Sequence, residues 1–177
     1  MTQKGAIIFC SASYDIDPKY NDAAREVVAC LCHNGYAILS GGTVKGTMGV
    51  VAAEAEKHGA ENIGVLPRFM EDVVYPTLTQ TYWTDTMAER KELLRKLGKD
   101  MVIALPGGIG TLDELFETFT LAKLGKYGGK VIAYNFEGFY DNLKALLDFY
   151  VQKGMLDART RGMIEFPGNV AELEKLL

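Results

Sequence analysis

Short apolar runs alternate with helix-patterned stretches along almost the whole chain, and this alternation constrains the fold more than any other feature. The runs are GAIIFCSAS (5–13), YAILS (36–40), NIGVLP (62–67), TQTYWT (79–84), MVIALP (101–106), KVIAYN (130–135) and MIEF (163–166). Most are apolar at consecutive positions, so both faces of each must be covered, as in a buried parallel sheet. Parallel neighbours need crossover connections, and the stretches between the runs supply them. PKYNDAAREVVACLCHNG opens on Pro18, repeats Ala23, Val27, Cys30 and Leu31 at helical spacing, and stops at Gly35. The spacing predicts further helices over about 47–58, 85–98, 111–125 and 138–154, and a last one in PGNVAELEKLL. The expectation is an α/β chain: one doubly wound, Rossmann-like domain over 1–177. Its mainly parallel sheet has six to seven strands with helices on both faces.

Composition narrows the class. The chain has 177 residues, 48% of them hydrophobic and 24% charged, which supports a full core and excludes disorder as the main state. A net charge of −4 with no basic cluster argues against nucleic acid as a partner. No apolar stretch reaches the roughly 18 residues of a membrane span, and no signal peptide pattern opens the chain. Cys10, Cys30 and Cys32 are odd in number and lack metal or redox spacing. Read as free, buried thiols, they suit a reducing cytoplasm.

In a doubly wound sheet, ligands bind outside the carboxyl ends of the strands. Those ends here carry CSAS, SGGTVKGTMG, TYWTD and LPGGIGTLDE. GIGTLD lacks the third glycine of a dinucleotide fingerprint, with Asp113 in its place. GGTVKGT has the frame of a P-loop but carries Thr47 where lysine is required. What survives is a pair of glycine loops able to face an anion at helix N-termini. Ser11 and Ser13, at the end of the first strand, are either turn formers or ligand donors.

Two residues stand out. Thr111-Leu112-Asp113-Glu114 spells a capping box, in which Glu114 would be only a cap. Taking Leu112, Leu115, Phe116 and Phe119 as the core stripe puts Glu114 and Glu117 about opposite it, either solvated or lining a cleft. A carboxylate in the first turn is expected to stay ionised in the field of the helix dipole. Arg90 falls in the middle of the apolar stripe Met87, Leu93, Leu94 and Leu97, so it either snorkels or points inward toward a carboxylate or phosphate. Lys91 sits at the edge of that stripe. Glu92, Arg95 and Lys96 read as an exposed, ion-paired face. His33 and His58 lie at helix ends without metal-ligand spacing, and Trp83 reads as core or cleft wall.

PGGIGTLDE (106–114) matches the pattern P-G-G-x-G-T-x-x-E. MAERK (87–91), SGGTVKGTMG (40–49) and IFCSAS (8–13) match the segments that accompany it. Together they resemble the Lonely Guy family of cytokinin riboside 5′-monophosphate phosphoribohydrolases, long mislabelled as lysine decarboxylases. The likeness covers nearly the whole chain in order. It implies hydrolysis of the N-glycosidic bond of an N6-modified or AMP-like nucleoside 5′-monophosphate, giving free base and ribose 5-phosphate. It places the catalytic pair at Arg90 and Glu114. Substrate and phosphate contacts are expected from Ser11, Ser13, Gly41, Gly42, Met87, Lys91, Pro106, Gly107, Gly108, Gly110, Thr111 and Glu117. It further implies no metal or organic cofactor, no membrane and a homodimer, with Leu121 as an exposed apolar contact. Ser11-Ala12-Ser13 replaces the usual G-S-S, Thr43 stands in the third glycine place, and Leu121 stands where tryptophan is common. The base therefore stays open among cytokinin, other purines and pyrimidines. A non-catalytic nucleotide or phosphometabolite binder is the alternative on the same fold, and a purely structural role the third.

Overall fold

The computed structural model describes residues 4–177. Its strands are β1 (Lys4–Phe9), β2 (Tyr36–Ser40), β3 (Asn62–Pro67), β4 (Gln80–Thr84), β5 (Met101–Ala104), β6 (Lys130–Ala133) and β7 (Ile164–Glu165). The helices are α1 (Pro18–His33), α2 (Gly46–Lys57), α3 (Met87–Leu97), α4 (Ile109–Lys123), α5 (Asp141–Gln152), α6 (Ala158–Arg161) and α7 (Val170–Glu174). All seven strands pair in parallel, in the order β4-β3-β2-β1-β5-β6-β7. The chain adds strands on one side of β1, then returns to add the rest on the other. The switch point therefore lies between the carboxyl ends of β1 and β5, where a doubly wound sheet opens a ligand crevice.

Successive strand residues feed two separate cores. Ala6, Ile8, Ile38, Met101 and Ile103 pack with Val27, Leu31 and Val51 of α1 and α2. Ile7, Leu39, Val65, Val102 and Ala104 pack with Leu94, Leu115, Phe119 and Leu147 of α3, α4 and α5. The period of two along each strand sends alternate side chains to opposite faces, which is why runs apolar at every position were needed.

Several boundaries differ from the sequence expectation. The first run was read to residue 13, but β1 ends at Phe9. Beyond it the backbone turns, Ser13 N–H donating to Ser11 Oγ at 3.1 Å and Thr47 N–H to the Ser11 carbonyl at 3.0 Å. The helix expected from Asp85 starts at Met87, with Thr86 as its cap in a reciprocal box with Glu89. The capping box expected at Thr111 and Glu114 does not form, because α4 starts earlier, at Ile109, capped by Gly108 without a side-chain bond. The helix expected over 138–154 is shorter, with α5 covering Asp141–Gln152.

The stretch between β3 and β4 is not structureless. A 3₁₀ turn spans Arg68–Val73, and the segment after it is clipped to the second glycine loop. Thr43 and Val74 form an antiparallel bridge, Val44 N–H donates to the Val73 carbonyl, and Tyr75 N–H donates to the Gly42 carbonyl. Gly42 has φ +65°, and a Cβ there would meet the Gly64 Cα at 2.7 Å, so this loop lies flat on β3 only with glycine.

Candidate active site

A cavity of about 360 Å³ opens at the carboxyl ends of the strands, over the switch point. Its walls come from the β1 end (Cys10 to Ser13), the second glycine loop (Gly41, Thr43), the start of α2 (Met48), the 3₁₀ turn (Met70), α3 (Met87, Arg90) and the start of α4 (Gly108, Gly110, Thr111, Asp113, Glu114). A larger hollow of about 910 Å³ lies between α3 and the end of α4, away from the strand ends. The smaller cavity is the candidate site, because it gathers the glycine loops, a helix N-terminus and a buried ion pair in one place.

That ion pair is Arg90 with Glu114. Arg90 Nη1 donates to Glu114 Oε1 at 2.6 Å, and Arg90 Nε donates to the Val65 carbonyl at 3.0 Å. Their side chains are 9% and 12% exposed. Arg90 thus points inward from the apolar face of α3, the second of the two options its position left open. Gly41 makes room for it, since a Cβ there would meet Arg90 Nη2 at 2.4 Å.

Glu114 does not lie opposite the core stripe of α4. The buried residues of that helix are Thr111, Leu115, Thr118 and Phe119. Glu114 falls among them at helical spacing, and Leu112 and Phe116 are only partly buried. The helix is rotated relative to the apolar-only stripe because two threonines pack against the sheet. Burial pushes the Glu114 carboxyl above the usual carboxylate range, and Arg90 draws it down without cancelling the effect. Cys10 shares this wall. Burial and the charge of Glu114 push its thiol up, so it stays neutral.

The remaining expected contacts divide. Ser11, Ser13, Gly41, Met87, Gly108, Gly110 and Thr111 line the cavity with Arg90 and Glu114. Gly42, Lys91, Pro106, Gly107 and Glu117 do not. Gly42 buttresses β3, as above. Pro106 is buried at the β5 end, and Gly107 packs on Thr111, whose Oγ1 would lie 2.2 Å from a Cβ at Gly107. Lys91 is held by Asp113 at 2.9 Å and Glu117 at 2.5 Å. Glu117 also accepts from Arg95 Nη2 at 2.8 Å. Arg95 is therefore not on an exposed face; its side chain is only 10% exposed and ties α3 to α4. Glu92 and Lys96 do form the exposed pair expected of them.

Cys10, Thr43, Met48, Met70 and Asp113 also line the cavity, with Ile8, Phe9 and Ala12 of the β1 end, and were not among the expected contacts. Met48 follows the second glycine loop within the first turn of α2, a position that could have flagged it. Met70 had no sequence signal. Cys10, Cys30 and Cys32 are unpaired, with Cys30 buried and the others half-buried. Leu121 is half-buried rather than exposed. His58 Nε2 lies 3.0 Å from Glu54 Oε1, His33 packs edge-on against His58, and Trp83 is half-buried on β4; all are outside the cavity wall. Among the described residues no group of three or more His, Cys, Asp or Glu is placed to hold a metal ion, and no helix is long and apolar enough to cross a membrane.

Residues 48–177 match a family model described as "Possible lysine decarboxylase". The chain is 33% identical over 94% of its length, and 73% of the relative's, to a protein named "Probable cytokinin riboside 5'-monophosphate phosphoribohydrolase LOG4" from Oryza sativa subsp. japonica. It is 32% identical over 98% of its length, and 82% of the relative's, to cytokinin riboside 5'-monophosphate phosphoribohydrolase LOG1 from Arabidopsis thaliana. The chain belongs to this Lonely Guy family. Among solved structures, the molybdenum cofactor carrier protein of Chlamydomonas reinhardtii superposes with a TM-score of 0.74 at 20% identity, covering 98% of this chain and 94% of that one. The molybdenum cofactor binding protein of Rippkaea orientalis matches equally well, with a TM-score of 0.74 at 20% identity over 99% of this chain and 96% of that one. These two likenesses show the doubly wound fold.

Proposed function

We propose that this protein hydrolyses the N-glycosidic bond of a nucleoside 5′-monophosphate, releasing free base and ribose 5-phosphate. One observation carries the reading: the buried Arg90–Glu114 pair sits in the wall of a strand-end cavity whose rim is the amino end of α4. The names of the relatives supply the substrate class, a cytokinin riboside 5′-monophosphate.

The roles follow from charge. Cleavage of the glycosidic bond builds positive charge on the sugar ring. The Glu114 carboxylate stabilises that charge and, its proton affinity raised by burial, takes a proton from the attacking water that the departing base nitrogen then receives. Arg90 holds Glu114 in place and, by its opposing charge, favours its ionised form. Gly108, Gly110 and Thr111 offer backbone N–H groups and the positive end of α4 to the 5′-phosphate, with Ser11 and Ser13 beside them. Phosphate binding away from the reacting bond fixes the sugar against Glu114. No lysine lines the cavity, so the decarboxylase description has no Schiff-base residue there.

The whole chain, 1–177, works as one nucleotide-binding hydrolase domain in a reducing cytoplasm, a setting supported by its three free thiols. It pairs as a homodimer through the outer face of α4. There Ile109, 83% exposed, joins Leu112, Phe116 and Leu121 around a shallow apolar hollow. The decisive experiment incubates the pure protein with a panel of nucleotides, AMP and N6-isopentenyl-AMP among them, and follows free base by chromatography. Release from at least one is the expected result. Thermal stabilisation by nucleotide without any release would replace the reading with a binding role.

A further inference from the structure

Arg90 and Glu114 belong to different helices, so their meeting depends on how α3 and α4 are held side by side. Further along each helix the same kind of contact recurs. Arg95 Nη2 donates to Glu117 Oε1 at 2.8 Å, five residues after Arg90 and three after Glu114. Both residues line the hollow of about 910 Å³, so the seam beside this second rung is open rather than packed. Among the described residues Glu117 is the one partner of Arg95, and Arg95 Nη1 has no acceptor. A buried guanidinium with a single carboxylate partner adds little stability. A long apolar side chain would fill the same wall, where Leu121 also lies, without the cost of burying a charge.

Between the two rungs lies Lys91. It is one turn before Arg95 on α3 and faces two carboxylates of α4, Asp113 and Glu117. Its Nζ donates to Asp113 Oδ2 at 2.9 Å but rests against Glu117 Oε2 without a directed bond. The Arg95 bond to Glu117 Oε1 accounts for that choice, because a carboxylate already paired with one cation attracts a second less. Asp113 lines the cavity next in sequence to Glu114, and without a partner its charge would oppose ionisation of that carboxyl. The other groups facing Glu114 are Arg90 and Lys91 from α3 and the Cys10 thiol from the end of β1.

Resting on the hydrolase reading above, we propose that Arg95 is a positioning residue of the active site: by holding Glu117 it leaves Lys91 to pair with Asp113, and so keeps the wall beside Glu114 charge-balanced. Arg95 itself lies outside the cavity wall and acts only through these side chains. In Arg95→Met, Glu117 draws Lys91 to itself and Asp113 is left charged without a partner. Glu114 then holds its proton to higher pH, and less of the carboxylate that activates water is present at neutral pH.

The test measures kcat and KM across pH with AMP and N6-isopentenyl-AMP. It compares the unmodified protein with Arg95→Met, Arg95→Lys, Glu117→Gln and the double variant Arg95→Met, Asp113→Asn, each checked for folding by circular dichroism melting. Arg95→Met should lose about tenfold in kcat at neutral pH and raise the acid limb of kcat/KM, with KM little changed. Arg95→Lys keeps the charge and should restore most of both. The double variant removes the Asp113 charge and should bring the acid limb back. Glu117→Gln hands Lys91 to Asp113 outright and should lower it. Glu117 is half-buried, so that variant decides the matter if Arg95→Met does not fold. An acid limb unmoved in Arg95→Met, not brought back by Asp113→Asn, or not lowered in Glu117→Gln overturns the positioning role and leaves the hydrolase reading standing. No release from any nucleotide by the unmodified protein overturns that reading, and the positioning role with it.

Discussion

Arg90 and Glu114, on different helices and 24 positions apart in sequence, meet through a 2.6 Å hydrogen bond with both side chains nearly out of solvent. A buried ion pair is a poor way to stabilise a fold, since removing both charges from water costs about as much as their attraction returns. Its presence beside a strand-end cavity therefore fits the proposed catalytic role, and it also makes the pair fragile.

Arg90→Ala leaves the Glu114 carboxylate and the Val65 carbonyl without their donor. Unfolding free energy in urea should fall by about 3–5 kcal/mol, and base release should drop at least about a hundredfold. A variant with native stability would show that the pair is not coupled to the fold.

Glu114→Gln keeps an acceptor for Arg90 and removes the charge. Turnover should fall by about 10²–10⁴-fold, with Tm displaced far less than in Arg90→Ala. Full activity in this variant would return Glu114 to a purely structural part.

The pH dependence follows from the direction of the Glu114 shift, upward and caused first by burial. The folded state holds this proton more tightly than the unfolded chain. Its contribution to stability is complete below the unfolded carboxyl value and is lost as pH rises through the raised folded value. If the carboxylate form is the active one, the acid limb of kcat/KM lies above the normal glutamate range. It should move higher still in Arg90→Lys if the shorter cation reaches less well. A pH–rate profile with its acid limb at an ordinary glutamate value would contradict this.

Gly110 has open space where a Cβ would stand and no positive φ. The fold does not need glycine there. Gly110→Ala, in the first turn of α4, should leave Tm unchanged or slightly raised, by about 0.5–1 kcal/mol of stability. KM should nevertheless rise, because the added methyl stands where the phosphate approaches the backbone. An unchanged KM would place the phosphate elsewhere.

Ile109→Glu puts a charge on the outer face of α4. Light scattering after gel filtration should show a dimer for the unmodified protein and a monomer for the variant. A monomeric unmodified protein would end the proposal of pairing through this face.

The alternation of apolar runs and helical patterns was enough to determine the parallel, doubly wound sheet and the edge where the candidate cavity opens. Strand and helix periods are local properties that any window of the chain carries. The motif through Glu114 and the off-pattern Arg90 pointed to the same edge. Period alone does not give the rotation of a helix against its sheet. Packing decides that, and it turned α4 so that Thr111, Glu114, Leu115, Thr118 and Phe119 face inward. It also started the helix at Ile109, which replaced a capping box with an ion pair. Arg95 and Lys91 went to a bridge between helices for the same reason: each partner lies more than twenty residues away. That Met48, Met70 and Met87 line one cavity was likewise a tertiary decision, since only the β4-β3-β2-β1-β5 order brings three distant segments to it.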